Sequence, residues 1–201
     1  MADLESRIKK QAIPNGLLLG VIILVFNIFS FYFITVICKN PIAILGEILL
    51  GFVVNIIVGV LFTLNLRKKV GGYWTFRQAT SGIFIMFIIS YLTLFIGRDL
   101  IFGKLVEPNM IEKTQTAMLD ARNKVLMRNG VDQAKIDEQD ETIHKQLDAE
   151  KNMTATGYVK TVFINFIFLF VVSAVVAALF KKEPPLFSHD INEPEYVDPT
   201  A

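Results

Sequence analysis

The stretch that decides the fold spans residues 17–37 and reads LLLGVIILVFNIFSFYFITVI. It runs for 21 residues without a charged side chain. A helix rises about 1.5 Å per residue, so it needs about 20 apolar residues to cross a hydrocarbon core of about 30 Å. The stretch therefore predicts a helix that spans a membrane.

Three further apolar runs of this kind follow, at residues 42–66, 79–97 and 161–180. They account for a hydrophobic content of 53% and a mean hydropathy of +0.49. An ordinary soluble domain does not contain four uninterrupted runs of this length. We therefore predict an all-α integral membrane protein with four transmembrane helices, three within residues 14–102 and the fourth within residues 158–182.

Basic residues mark three of the membrane boundaries, whereas the first connection carries only Lys39. They precede the first run, separate the second from the third, and follow the fourth: Arg7, Lys9, Lys10; Arg67, Lys68, Lys69, Arg77; Lys181, Lys182. The positive-inside rule places such ends in the cytoplasm. We predict a bacterial inner-membrane protein with both termini cytoplasmic, including residues 1–13, and with residues 103–157 in the periplasm.

The long third connection, residues 103–157, is rich in good helix formers. One apolar stripe recurs at spacings of three and four, in the order Ile111, Thr114, Met118, Ala121, Val125. Asn129-Gly130 then breaks the pattern, because both residues tolerate the left-handed conformation that ends a helix. A weaker stripe follows between about Asp132 and about Met153, formed by Ile136, Ile143 and Leu147.

These patterns predict an extracytoplasmic helical hairpin between helices 3 and 4, with antiparallel arms that continue both helices beyond the membrane. We expect the two stripes to pack on each other. The alternative is that the hairpin docks a partner protein. The acidic, proline-containing segment 183–201 is typical of a disordered cytoplasmic tail.

Four charged residues lie at a similar predicted depth near the outer leaflet: Glu47, Arg98, Asp99 and Lys160. Ionisable groups inside a span are costly and are candidates for function. We expect Glu47 to pair with Arg98 or Lys160, and Arg98 is the better partner because a guanidinium matches a carboxylate in bidentate fashion. The pair serves either packing or the binding of a ligand or partner.

Each predicted span also carries an uncharged polar side chain, namely Asn27, Asn55, Ser90 and Asn165. Such groups bridge membrane helices at a modest gain, about 0.6 kcal/mol on average. A proton or ion path would require carboxylates or histidines through the midplane. We therefore interpret these four residues as helix-bridging groups.

Metal and cofactor chemistry has little support in the sequence. Cys38 is the only cysteine, and the two histidines, His144 and His189, are far apart. We predict no metal site, no cofactor, no catalytic residue and no nucleic-acid partner.

The connection between the second and third runs reads Arg67-Lys68-Lys69-Val70-Gly71-Gly72-Tyr73-Trp74-Thr75-Phe76-Arg77-Gln78-Ala79. The two glycines permit a tight reversal, the aromatic residues suit the membrane interface, and the basic residues suit anionic headgroups. From these residue types we interpret the connection as a membrane anchor, and a phosphate-binding nest is the minor alternative.

The chain from about residue 14 to 182, which includes this motif, resembles a bacterial family of four-helix membrane proteins. The family is the domain of unknown function numbered 4199, which is common in Bacteroidota. The resemblance rests on the basic cluster followed by Gly71, Gly72, Tyr73, Phe76 and Ala79, and on Gly46-Glu47, the charged helical insert and the closing Lys181-Lys182. The family has no established activity. The resemblance implies an accessory subunit that accompanies a membrane-associated glycosyltransferase.

Three classes of function remain open. The first, which we predict, is a non-catalytic scaffold or accessory subunit of a membrane complex, held in the lipid bilayer with a protein partner or a second copy of itself. The second is a small transporter or channel subunit, supported by the outer-leaflet charges. The third is an enzyme acting on lipid-linked substrates, with Glu47 or Asp99 as acid or base, although no nucleophile or metal site accompanies them.

Overall fold

A computed structural model describes residues 2–151 and 155–182. Within these residues the fold is all-helical and contains no strand, apart from one isolated bridge between Trp74 and Lys182. The helices are α1 (Ala2–Tyr32), α2 (Pro41–Lys69), α3 (Phe76–Leu94), α4 (Met110–Arg128), α5 (Gln133–Lys151) and α6 (Ala155–Phe180). The predicted all-α class is confirmed.

Four of the described helical stretches are long and apolar enough to cross a membrane, as predicted: Leu4–Ile37, Pro41–Lys69, Phe76–Val106 and Val159–Phe180. The first helix begins far earlier than its apolar run. Its opening turns bury Ile8 and Ala12 in the core. The four stretches form a bundle, and the end that holds the start of α1 and the ends of α2 and α6 is called the basic end below. The opposite end, which carries α4 and α5, is called the helix-pair end.

The contact between α1 and α3 is the most extensive in the bundle. It is made possible by Gly16 and Gly20, which are four residues apart on α1 and lie against α3. A Cβ atom at Gly16 would lie 2.5 Å from the backbone oxygen of Met86, and one at Gly20 would lie 2.6 Å from the Cβ of Thr93. Small residues at this spacing let two membrane helices bring their backbones into contact.

The other two membrane helices pack around this pair. α6 lies on α3, where Phe170 meets Phe84 edge-on with ring centroids 5.5 Å apart. α2 packs on α1 and, equally, on α4, and it touches α3 and α6 only sparsely. The outward faces of α2 and α6 are therefore rich in exposed apolar side chains, as expected for helices that face lipid.

Two membrane helices widen into π-helix at the helix-pair end. α1 continues as Phe33–Ile37 and α3 continues as Phe95–Val106. Their closing bonds join residues five apart, from Cys38 N to Phe33 O and from Glu107 N to Phe102 O, both at 2.8 Å. Long π-helical stretches are rare, and π-helical turns are frequent at functional sites.

The third connection contains two helices that are separated at the predicted break. α4 ends at Arg128, and Gly130 has φ +77°, the left-handed conformation that ends the helix without strain. Contrary to expectation, part of the α4 stripe packs on the membrane bundle. Ala121 is buried in one cluster with Ile34 and Ile44, and Met118 packs against that cluster.

α4 also does not continue α3, because the chain leaves the helix at Glu107–Asn109 and turns back. α5 packs chiefly on α4 and buries Ile136. Residues 152–154, where the second arm was predicted to end, and the predicted tail 183–201 lie outside the described residues.

Candidate functional site

The helix-pair end contains a buried carboxylate. Glu47 lies in the second turn of α2 and is 8% exposed. Its Oε1 accepts a hydrogen bond of 2.5 Å from the hydroxyl of Ser30 on α1. A hydroxyl that donates to a carboxylate gives a short, charge-assisted bond. This bond holds α1 and α2 together at a depth where an unpaired carboxylate would be costly.

The predicted ion pair between Glu47 and Arg98 or Lys160 is wrong. The Nε of Arg98 instead lies 3.0 Å from the Oδ1 of its neighbour Asp99, and the two side chains are 45% and 41% exposed. Lys160 is exposed and makes no ion pair with a described residue. The reason is the direction in which Glu47 points around its helix. α2 packs on α1, so the side chain of Glu47 meets Ser30 on α1 before it can reach α3.

Arg98 and Ser30 nevertheless line the same cavity. The cavity has a volume of about 320 Å³ and lies between α1, the second π-helical stretch and α4. Its lining is half polar and half apolar: Asn27, Ser30, Phe31, Ile34, Arg98, Met110, Ile111, Thr114, Gln115, Met118. On its other side Glu47 borders an apolar surface groove between α1 and α2. The bond between Ser30 and Glu47 thus separates a polar cavity from the lipid-facing surface.

A second cavity of about 530 Å³ adjoins the first where the second π-helical stretch ends. Lys113 and Glu107, which form an ion pair of 2.6 Å, are among its lining residues. Within the described residues, no group of three His, Cys, Asp or Glu side chains is placed to hold a metal ion.

The basic end is closed by the motif between α2 and α3. Gly71 and Gly72 have φ +111° and +84°, so both occupy the conformation that favours glycine and the chain reverses within two residues. Trp74 then enters the core and is 1% exposed. Its indole nitrogen donates to the backbone oxygen of Phe180, 3.2 Å away, and its backbone nitrogen donates to that of Lys182, 2.9 Å away.

The same turn satisfies the last carbonyl group of α6, that of Phe180, which has no partner inside its own helix. The guanidinium of Arg67 donates to the backbone oxygen of Phe180 at 3.3 Å, and Lys182 lies over the ring of Tyr73. Only Tyr73 and Phe76 are exposed as interfacial aromatics would be. The motif thus joins three helix ends.

Sequence reasoning missed one buried polar cluster at this end. Asn15 is 1% exposed, and its Oδ1 accepts from Asn65 at 3.1 Å and from the Nζ of Lys69 at 3.0 Å. Asn65 and Lys69 are four residues apart on α2 and therefore share one face. The sequence signal for this cluster was the spacing of four residues between Asn65 and Lys69, together with Asn15 in the first membrane-length helix.

The predicted helix-bridging groups behave differently from one another. The amide of Asn165 donates to the hydroxyl of Tyr91 at 3.2 Å and bridges α6 and α3. Asn27 and Asn55 instead donate to backbone oxygens four residues earlier in their own helices. Bridging is therefore observed for Asn165 alone among these three amides.

These features define a multi-pass helical membrane protein with four membrane-length helices and a charged helix pair between the last two. A family model described as "Protein of unknown function (DUF4199)" matches residues 14–182, so the chain belongs to this family. The match begins inside α1 and ends at Lys182, whose backbone binds Trp74. No curated protein and no solved structure matches the chain.

Proposed function

We propose that this protein is a non-catalytic scaffold or accessory subunit of a membrane complex and that it binds a partner protein through α5. The observation that carries the proposal is the way α5 is presented. Among the described side chains of α5, Asp140 contacts Arg122 and Asn123 on α4, and Ile136 is buried. The other described side chains of α5 are mostly exposed.

The charge of α5 suggests the chemistry of the partner surface. Residues 133–151 contain six acidic and three basic side chains. α4 supports α5 on a rigid base, because Ala121 is buried against the bundle. An acidic helix on such a base suits a basic partner surface, since complementary charge steers association and sets its orientation. The family resemblance makes a membrane-associated glycosyltransferase the first partner to test.

The proposal includes a topology. Both termini would be cytoplasmic in a bacterial inner membrane, and α4 and α5 would form an antiparallel hairpin in the periplasm. It is supported by the basic residues gathered at one end of the bundle, among them Arg67 and Lys69. Reporter fusions after Lys69, near Gly130 and after Lys182 test it. A cytoplasmic signal near Gly130 would contradict the topology.

Affinity purification from native membranes in mild detergent tests the partner. We expect a stoichiometric protein to copurify with the wild type and to be lost when Asp137, Glu138 and Glu141, all exposed on α5, are replaced by lysine. Glu138→Lys alone and Asp120→Lys form the matched pair, because each reverses one charge at an exposed position, the first on α5 and the second on α4. Loss of the partner from both variants, or from neither, would contradict binding through α5.

A small transporter or channel subunit is the second candidate. It is favoured by the buried bond between Glu47 and Ser30 beside a polar cavity. On this alternative, Glu47→Gln abolishes a growth phenotype without lowering the protein level. On the scaffold proposal, the same change lowers thermal stability modestly and leaves partner binding intact.

A further inference from the structure

A groove of about 470 Å³ runs between α2 and α6, where these two helices barely touch. Side chains from all four membrane-length helices line it, and most of them are apolar. The polar groups in the lining are Asn55, Ser90 and Tyr91. Ligand pockets in proteins have this volume and this composition, mostly apolar and aromatic with a few polar groups that fix orientation.

The groove lies at the middle of the bundle. Asn55 is the middle residue of Pro41–Lys69, and Tyr91 is the middle residue of Phe76–Val106. Asn55 would therefore lie near the bilayer midplane, and Tyr91, seven residues before Arg98, would lie about 10 Å inside the interface at the helix-pair end. The headgroups of ordinary lipids do not reach this depth.

The groove opens sideways to the membrane. Phe52, Ile56 and Phe168 line its mouth and are each more than half exposed. A molecule dissolved in the hydrocarbon core could therefore enter without crossing an interface.

Ser90 is the observation that points to a ligand. Six other hydroxyl side chains in the membrane-length helices donate to the backbone oxygen four residues earlier, namely Thr35, Thr63, Thr80, Thr93, Thr161 and Ser173, and Ser30 donates to Glu47. Ser90 is 4% exposed, lines the groove and makes no hydrogen bond with a described residue. The backbone oxygen that it would use, that of Met86, is the one against which Gly16 of α1 packs.

Tyr91 supplies a second donor beside Ser90. Its hydroxyl oxygen accepts from Asn165, so its own proton remains available. Across the groove Asn55 uses one amide hydrogen for Gly51 and keeps the rest of its amide. The groove therefore presents two hydroxyl donors within a lining of aromatic and aliphatic side chains, and in hydrocarbon an unmet donor is costly.

We propose that this groove binds a lipophilic carbonyl compound of the isoprenoid-quinone class. Its two carbonyl oxygens accept from Ser90 and Tyr91, its flat ring lies among the phenyl rings of Phe52, Phe87 and Phe168, and its tail leaves through the mouth between α2 and α6. An acyl chain fits the apolar walls but leaves both hydroxyl groups without an acceptor. This inference is independent of the scaffold proposal, since it concerns a different face and depth.

Native mass spectrometry and equilibrium binding in nanodiscs test the proposal, with a short-tailed menaquinone as the probe. We expect saturable binding of one quinone per chain, and no competition from an isoprenoid hydrocarbon of equal length that lacks the ring. Ser90→Ala and Tyr91→Phe should each weaken binding about threefold, and together about tenfold. Ser173→Ala is the matched control, because it removes a buried hydroxyl of α6 that already donates to Leu169.

A groove-filling variant gives an independent test. A Cβ at Gly59 would lie 3.9 Å from the ring of Phe87, which is an ordinary contact, so Gly59→Leu should fold and abolish binding. Fluorescence of Trp74 verifies folding, and the two hydroxyl variants decide the matter if Gly59→Leu misfolds. Absence of saturable binding, or equal binding by wild type and the double hydroxyl variant, would overturn the proposal. Cross-links between cysteines placed at Phe52 in two copies would also overturn it, because a second chain would then occupy the groove.

Discussion

Replacing Gly16 by alanine should destabilise the bundle because the α1–α3 contact leaves no room for a Cβ atom. That atom would lie 2.5 Å from the backbone oxygen of Met86, whereas ordinary contact begins at 3.4 Å. The two helices would have to separate by about 0.9 Å, the difference between these distances. The obstacle is a backbone atom, so a change of rotamer cannot relieve it.

The expected magnitude follows from two opposing terms. Overpacking costs about 3 kcal/mol at the upper end of its range, and alanine is a better helix former than glycine by about 1 kcal/mol. Gly16→Ala should therefore lower the free energy of unfolding by about 2 kcal/mol. Gly46→Ala is the matched control on α2, where a Cβ meets nothing within 4 Å, and it should be neutral or slightly stabilising.

The assay is unfolding by SDS titration from mild detergent, followed by fluorescence. Trp74 is the single tryptophan and is 1% exposed, so its emission reports loss of the core directly. We expect the transition of Gly16→Ala to shift to a clearly lower SDS fraction than that of Gly46→Ala. Equal transitions for the two variants would refute the packing of α1 on α3 described above.

Three further changes test the two ends of the bundle. Trp74→Phe removes the indole donor to the last turn of α6 and should cost about 1 kcal/mol, with faster amide exchange in that turn; unchanged exchange would contradict the role of the turn. Ser30→Ala leaves the carboxylate of Glu47 buried without a partner and should cost about 1–3 kcal/mol in the SDS titration. Adding Glu47→Leu should restore most of that stability, and failure to do so would locate the loss elsewhere. Asp140→Ala breaks the contact with Arg122 and should speed amide exchange in α5 while leaving exchange in the membrane helices unchanged. Loss of protection throughout the bundle would contradict the view that α5 can loosen without disturbing the membrane helices.

The sequence was sufficient to predict the four membrane helices and the break at Asn129-Gly130. Hydrophobic length is a local property, and glycine or asparagine is the usual residue where a helix ends in a left-handed turn. Both features can therefore be predicted from the sequence without knowing which helices are neighbours. The early start of α1 could not be predicted in this way, because the apolar run begins only at residue 17.

The partner of Glu47 could not be predicted for a different reason. Depth in the membrane follows from sequence position, but the direction of a side chain around its helix depends on which helix packs against it. The arrangement is set by Gly16 and Gly20, which bring α1 and α3 together and leave α2 against α1. Ser30 is therefore the group that Glu47 meets.

Trp74 shows the same limit at the basic end. An aromatic residue beside a basic cluster is typical of the membrane interface, yet here the indole is buried and caps α6. Trp74 and Phe180, which this hydrogen bond joins, lie 106 positions apart in the sequence, and no local pattern indicates such a contact.

Photo-crosslinking in living cells tests the proposed scaffold role most directly. A photoreactive amino acid at Glu138 on α5 should give one discrete cross-linked species with a partner protein of basic surface. The same group at Leu49, an exposed apolar position on α2, should give none. Cross-linking from Leu49 but not from Glu138 would contradict binding through α5 and would place the partner in the membrane instead.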